Sequence, residues 1–277
     1  MQRVLRWYPV LRGRGRLAGC SLLWKLLGPL PEVLEVPTTF GLQLRVRTND
    51  YIGRMTLLFG DLDPKISWVV ARVVQPGDTV IDVGANIGLV TLHAAKRVGR
   101  NGRVYAFEPQ GDLGELLLAS ARTHCLPQVE LALVGLSDHA GTARLVVPET
   151  NRGRAYLRDE AAGAQTVPLV RLDDAVPTDR AVRLLKIDVE GHETSVLRGA
   201  EGFLTRQPPQ FILFESHGEP ATFWDRSEVE LLVNRGYRIH QVNSRGVRGR
   251  LVPLVEPNPP ATPGHDFLAV RADTACP

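Results

Sequence analysis

One stretch constrains this chain more than any other: Val80-Ile81-Asp82-Val83-Gly84-Ala85-Asn86-Ile87-Gly88. An apolar run carrying one carboxylate leads into a turn with small residues at every second position, and a helical pattern follows. Such a strand–turn–helix presents backbone N–H groups at the end of a parallel strand, where a nucleotide-like ligand is held. Gly84 lets backbone or ligand approach closely, and Gly88 lets the helix pack near the strand. A second carboxylate, Glu108, closes the next apolar run, Val104-Tyr105-Ala106-Phe107. An acid at the tip of the neighbouring strand can accept two hydrogen bonds from a ribose diol.

The pattern around these strands is one of alternation. Strand-like runs at 79–83, 103–107, 129–134, 183–187 and 211–214 alternate with helical patterns near 87–97, 112–122, 193–204 and 226–234. This predicts an α/β fold with a mostly parallel sheet and helices on both faces. The last two strands, 236–242 and 266–271, are separated by a Pro-rich loop and no helix, which predicts an antiparallel edge. An irregular insert over 139–170 carries two short strands, Ala143–Val147 and Thr166–Val170. Upstream, Leu42, Leu44 and Val46, then Met55, Leu57 and Phe59, read as antiparallel strands. Asp63-Pro64 starts a helix, with Asp63 as N-cap and Ile66, Val69, Val70, Val73 and Val74 on its buried face. The expected organisation is a basic arm and small cap over 1–62 and a ligand-binding domain over 63–277.

The net charge of +3 conceals an asymmetry. Residues 1–30 hold six bases (Arg3, Arg6, Arg12, Arg14, Arg16, Lys25) and no acid, while the rest holds 27 bases and 30 acids. The apolar part of this arm, Cys20–Leu30, is interrupted by Lys25 and is too short to span a bilayer, which takes roughly 20 apolar residues. No small-residue cleavage site follows, so it does not read as a secretory signal. The arm reads as a helical lid or dimer arm, with peripheral membrane contact and a disordered leader as alternatives. Three widely separated cysteines and no CxxC pair point to a reducing, cytoplasmic compartment.

The G-x-G-x-x-G spacing of a pyrophosphate-binding turn is absent. Asp82 would repel a diphosphate and suits a cationic ligand, such as a sulfonium bearing an α-amino group. A nicotinamide-dependent oxidoreductase is therefore the second reading, with Asn86 against it. A nucleic-acid-binding protein using the basic arm is the third, without the interleaved aromatic and basic residues of a single-strand binder.

Six stretches carry a family resemblance: Tyr51-Ile52-Gly53-Arg54, Gly77 to Gly88, Phe107-Glu108-Pro109, Leu136-Ser137-Asp138, Leu172-Asp173-Asp174 and Lys186-Ile187-Asp188-Val189-Glu190-Gly191-His192-Glu193. The chain resembles the S-adenosylmethionine-dependent methyltransferases of the FkbM family. The resemblance implies a Rossmann-like, seven-stranded sheet of order 3-2-1-4-5-7-6 and methyl transfer, most often to oxygen. It implies that Asp82, Gly84, Asn86 and Gly88, with Ala85 in the same turn, hold the methionine part of S-adenosylmethionine. Glu108 is then expected on the ribose, and Ser137 and Asp138 beside the adenine. Asp63 departs from the family, which often has a glutamate there.

Methyl transfer to a hydroxyl requires that the acceptor lose its proton as it attacks. Asp188 ends the fourth strand, with Glu190 and His192 just after it, and Glu215 and His217 end the fifth. Two mechanisms fit these residue types. A histidine acts as general base, held by a carboxylate; or Asp188 and Glu215 hold a divalent cation that lowers the acceptor's pKa. No metal-ligand spacing predicts the cation. His124, His139, His240 and His265 have no partner pattern and are expected at the surface. The expected acceptor is a hydroxyl on a small molecule, glycan or lipid-linked compound, its pocket shaped by the insert 139–170 and the loop 243–265.

Overall fold

The computed structural model describes residues 18–148, 151–158, 164–245, 248–262 and 264–277. The arm expected over 1–30 therefore lies outside the described residues up to position 17. From Ser21 a short helix, α1 (Ser21–Leu27), leads into an antiparallel hairpin of β1 (Val33–Pro37) and β2 (Gln43–Arg47).

Met55, Leu57 and Phe59, expected in a strand, lie instead in helix α2 (Tyr51–Phe59). Asp50 caps it, its carboxylate accepting from the N–H groups of Ile52 (3.0 Å) and Gly53 (3.4 Å). The buried residues Ile52, Met55, Thr56, Leu58 and Phe59 follow helical spacing, which the alternation of Met55, Leu57 and Phe59 obscures. Gly53 is required because a Cβ there would sit 1.8 Å from the Arg47 carbonyl oxygen. Helix α3 (Pro64–Val73) is capped by Asp63, which accepts from Lys65 N–H at 3.1 Å, as expected.

The βα units follow: β3 (Thr79–Val83), α4 (Leu89–Val98), β4 (Arg103–Phe107), α5 (Gly111–Thr123) and β5 (Val129–Ala132). The insert contributes β6 (Gly135–Leu136), β7 (Gly141–Val146), β8 (Tyr156–Arg158) and β9 (Gln165–Val170), which form a separate four-stranded sheet of order β6-β9-β7-β8. A single turn, α6 (Leu172–Ala175), precedes β10 (Val182–Ile187). The helix expected over 193–204 is broken at Ala200 into α7 (Glu193–Gly199) and α8 (Glu201–Arg206). Then come β11 (Phe211–Glu215), α9 (Ser227–Val233), β12 (Tyr237–Arg245), β13 (Arg248–Pro253) and β14 (Asp266–Arg271).

The main sheet has eight strands, in the order β5-β4-β3-β10-β11-β14-β12-β13. This is the order 3-2-1-4-5-7-6 implied by the resemblance, with one strand added at the edge. The extra strand, β13, lies where the sequence predicts only a loop. Gly249 gives it room, since a Cβ there would meet the Trp68 ring at 2.4 Å. Pairs from β5 through β11 are parallel, and those involving β14, β12 and β13 are antiparallel.

Side-chain alternation divides the sheet into two faces. Val80, Val104, Leu184, Phe211, Leu213, Leu268 and Val270 pack against α3 and α4. Ile81, Val83, Leu185, Ile187, Ile212 and Phe214 pack against α7, α8 and α9. The same alternation puts Asp82, Lys186 and Glu215 on the α3/α4 side near the carboxyl ends of their strands, with Asp266, at the start of antiparallel β14, beside Glu215. No helix among the described residues is long and apolar enough to cross a membrane.

The Asp50 carboxylate also accepts from Arg152 N–H at 3.0 Å, tying the α2 cap to the insert. Asp50→Ala is expected to cost about 2 kcal/mol, from the lost cap and the stranded N–H of Arg152. Chemical denaturation reads this as a lower midpoint with an unchanged slope.

Candidate active site

The turn after β3 is built by close approach. Gly84 has φ +73°, and a Cβ there would lie 2.0 Å from the Asp188 carbonyl oxygen. The loops leaving β3 and β10 are thus in backbone contact. Asn86 also has positive φ (+51°), its side-chain oxygen accepting from Ile87 N–H at 2.8 Å. Gly88 begins α4, and a Cβ there would strike Leu117 at 2.7 Å.

Beneath this turn lies the Lys186 ammonium. It donates to the carbonyls of Gly84 (2.7 Å) and Val83 (3.1 Å) and pairs with Asp82 (3.2 Å) and Asp188 (3.5 Å). Burial works against its charge, but Asp82 and Asp188 outweigh burial and hold its pKa above the ordinary lysine range. Asp82 is fully buried and also accepts from the Thr91 hydroxyl at 2.5 Å.

A cavity of about 370 Å³ opens above the carboxyl ends of the strands. Gly84, Ala85, Asn86, Glu108, Asp188, Glu190, His192, Glu215 and His217 all line it. Asp82, Gly88, Ser137 and Asp138 do not. Asp82 is held under the floor by Lys186, and Gly88 is used in helix packing. Ser137 is buried, its hydroxyl bonded to Asp138 (3.2 Å) and to His192 Nε2 (3.0 Å). A second cavity, of about 310 Å³, lies on the α3 side and shares Tyr51, Leu62, Lys186, Asp188 and Glu215 with the first.

At one end of the first cavity, buried Glu108 accepts from the N–H groups of Asn86 and Gln110, both at 2.8 Å. Burial raises its pKa. Its remaining lone pairs are free to accept from a diol. Gln110, also on the wall, has a buried side-chain oxygen with no hydrogen-bond partner among the described residues. Acceptor oxygens for ribose hydroxyls and an adenine amino group, over an acid-rich floor, fit S-adenosylmethionine.

The other end is a cluster of carboxyls. Burial first, then the neighbouring Asp188, Asp266 and Glu190, push the Glu215 pKa up to about 9, with Lys186 opposing. Glu190 is raised by burial and by Asp188. Burial lowers His192. His217 Nε2 lies 3.0 Å from Glu215 Oε2, and its ring packs against that of His265, tilted by 37° with centroids 4.5 Å apart.

Sequence reasoning missed several wall residues. His265, expected at the surface, lines the cavity, brought there because Glu215 pairs with Asp266 across β11 and β14. His240, also expected at the surface, is buried in β12. Lys186 had a visible signal: it is the only charge between Leu184 and Ile187 of a buried strand. The insert reaches the wall through Leu145, Arg154 and Leu157, while the loop 243–265 reaches it through His265.

Comparison with known proteins decides what this arrangement belongs to. Residues 82–239 match the methyltransferase FkbM domain. The chain belongs to the FkbM methyltransferase family. It is 27% identical to hexuronic acid methyltransferase AglP of Haloferax volcanii, over 68% of this chain and 74% of that protein. It is 32% identical to 31-O-demethyl-FK506 methyltransferase FkbM of Streptomyces tacrolimicus, over 46% of this chain and 61% of that one. Among solved structures, it resembles an S-adenosylmethionine-dependent O-methyltransferase of Thermotoga maritima, at 14% identity and a TM-score of 0.44, over 91% of this chain and 82% of that one. The protein is a S-adenosylmethionine-dependent methyltransferase with a Rossmann-like fold.

In this FkbM-family site, Lys186→Met strands a buried Asp82 and is expected to cost about 3 to 5 kcal/mol. The double variant Lys186→Met/Asp82→Leu should recover part of that loss in the same denaturation experiment.

Proposed function

We propose that this enzyme methylates a hydroxyl oxygen of a small-molecule, glycan or lipid-linked acceptor, with His217 as general base and Glu215 as its orienting partner. The observation that carries this reading is the 3.0 Å contact between these two side chains, on the wall that also holds Glu108. The relatives' names point to a hexuronic acid and to 31-O-demethyl-FK506. Family membership displaces the nicotinamide reading, and the domain division at residue 62 stands as part of this proposal.

The cofactor, when bound, supplies an electrophilic methyl group on a positively charged sulfur. We assign Gly84, Ala85 and Asn86 to its methionine end, Glu108 to its ribose and Gln110 to its adenine. Asp82 acts through Lys186, which turns the Val83 and Gly84 carbonyls inward. Asp188, Glu190 and Glu215 present negative potential to a cation in the cavity. In the free enzyme Glu215 keeps its proton at neutral pH. A cation beside it favours the ionised form, and Glu215 releases that proton. The carboxylate then accepts from Nε2–H of neutral His217, which leaves Nδ1 free to take the acceptor's proton. His265 packs against that ring, and Arg154 lines the same cavity. Among the described residues no group of three or more His, Cys, Asp or Glu is placed to hold a metal ion, and this route needs none.

Because cation binding prefers ionised Glu215, affinity for S-adenosylmethionine should rise with pH up to about 9 and then level off. Affinity for neutral S-adenosylhomocysteine should change far less. Calorimetry in buffers of differing ionisation enthalpy should show proton release for the first ligand only, and Glu215→Gln should remove it. Identical pH profiles for the two ligands would sink this assignment.

His217→Ala should lower kcat by roughly 10²–10⁴-fold while leaving S-adenosylhomocysteine affinity within a few-fold. Glu108→Ala should show the reverse, weakening binding of both cofactor forms. Loss of turnover on chelation, with His217→Ala still active, would favour the cation mechanism instead.

A further inference from the structure

The N-terminal helix presents a feature that methyl transfer does not use. On α1, Leu23 and Trp24 pack with Ala18 against Met55, Leu58 and Phe59 of α2. Trp24 donates to the Ala18 carbonyl at 2.6 Å, and the Arg54 guanidinium lies over its ring at 4.9 Å. The helix is therefore fixed to the body through one side. Leu22 and Leu26, one turn apart on another side, are 63% and 77% exposed. Burying a leucine is worth about 1.5–3 kcal/mol, so two left open on one face are conspicuous in a helix of seven residues.

Charge says what this face meets. Lys25 lies between the two leucines, and residues 1–30 contain five further bases and no acid. Those five precede residue 18 and enter only as charge. The rest of the chain is net acidic. An apolar pair beside Lys25, in a stretch of sequence whose charges are all positive, complements a surface that is negative outside and apolar beneath, as an anionic bilayer is. An acidic protein would satisfy the bases but would not by itself bury the leucines.

We propose that α1 docks this enzyme onto anionic phospholipid membranes, with Leu22 and Leu26 entering the acyl boundary. The position of the helix gives docking a purpose. It packs on α2, whose residues Tyr51 and Met55 line the second cavity, and its partner Leu62 lines both. Docking thus sets the cavities one helix away from the lipid surface, within reach of a hydroxyl carried on a membrane-embedded acceptor. The lipid-linked case of the proposed function rests on this surface; the assignment of the base does not.

Co-sedimentation of the full chain with vesicles tests it. The protein should sediment with vesicles of equal parts phosphatidylglycerol and phosphatidylcholine, not with phosphatidylcholine alone, and added salt should weaken the binding. Leu22→Ser/Leu26→Ser should reduce partitioning at least about ten-fold, and Lys25→Glu should reduce it further on anionic vesicles only. S-adenosylhomocysteine affinity, measured on the same samples, should be unchanged in these variants, which separates lost docking from lost folding and from failure of the methyltransferase assignment. Equal binding to both vesicle types, or binding untouched by the leucine variant, overturns the proposal. So does conversion of a dimer to a monomer by that variant, which would assign the face to a second copy of the chain.

Discussion

The site depends on one buried ammonium. Lys186 stands on β10 at the carboxyl end of the parallel strands, beside β3, and its four oxygen partners come from β3 and from the loops that leave β3 and β10. Two of them are backbone carbonyls: that of Gly84, and that of Val83, which also accepts from Asp188 N–H at 3.2 Å. Two are carboxylates, one below the floor and one on the wall. A lysine on one strand opposite an aspartate on its parallel neighbour, at the register Lys186↔Asp82, therefore fixes the cofactor turn relative to the catalytic tips. Removing the charge disturbs both at once, because a buried carboxylate left alone is costly.

The surroundings of Glu215 follow from the same face of the sheet. Alternation puts Glu215 and Asp266 on the side of Lys186, and Lys65 of α3 reaches Asp266 at 2.7 Å. The tips of β11 and β14 thereby gather more carboxyls than cations. Such a cluster holds protons in the free enzyme and becomes favourable only with a cation inside. The negative potential is a property of topology as much as of any one residue.

Much of this was legible in the sequence. Val80–Gly88, Glu108 and Asp188–His192 could be read because strand-then-turn patterns are local and because each acid closes an apolar run. The central sheet order came from the resemblance and is present, with β13 added. What escaped reading was determined by tertiary contact. The alternation of Met55, Leu57 and Phe59 hid a helix whose evidence was its cap, Asp50, and the 3–4 spacing from Ile52. His265 reached the cavity through antiparallel pairing that nothing near it in sequence announces. Asp82 reads as a cofactor ligand from its charge and from the resemblance, and what its neighbours in sequence do not announce is Lys186, more than one hundred residues away, which pairs with it under the floor.

Asp50 shows how the variable and constant parts of such an enzyme are joined. One of its oxygens caps α2, which walls the cavities, and the other holds the backbone of the insert at Arg152. The bond to Arg152 is made to a main-chain N–H, so it places no demand on the side chain there. The insert, which lines the cavity through Leu145, Arg154 and Leu157, is moored to α2 at that point. A graft that exchanges residues 139–170 for those of another family member has to preserve that backbone position and the glycine after it, since a Cβ on Gly153 would lie 2.2 Å from Ile52 of α2.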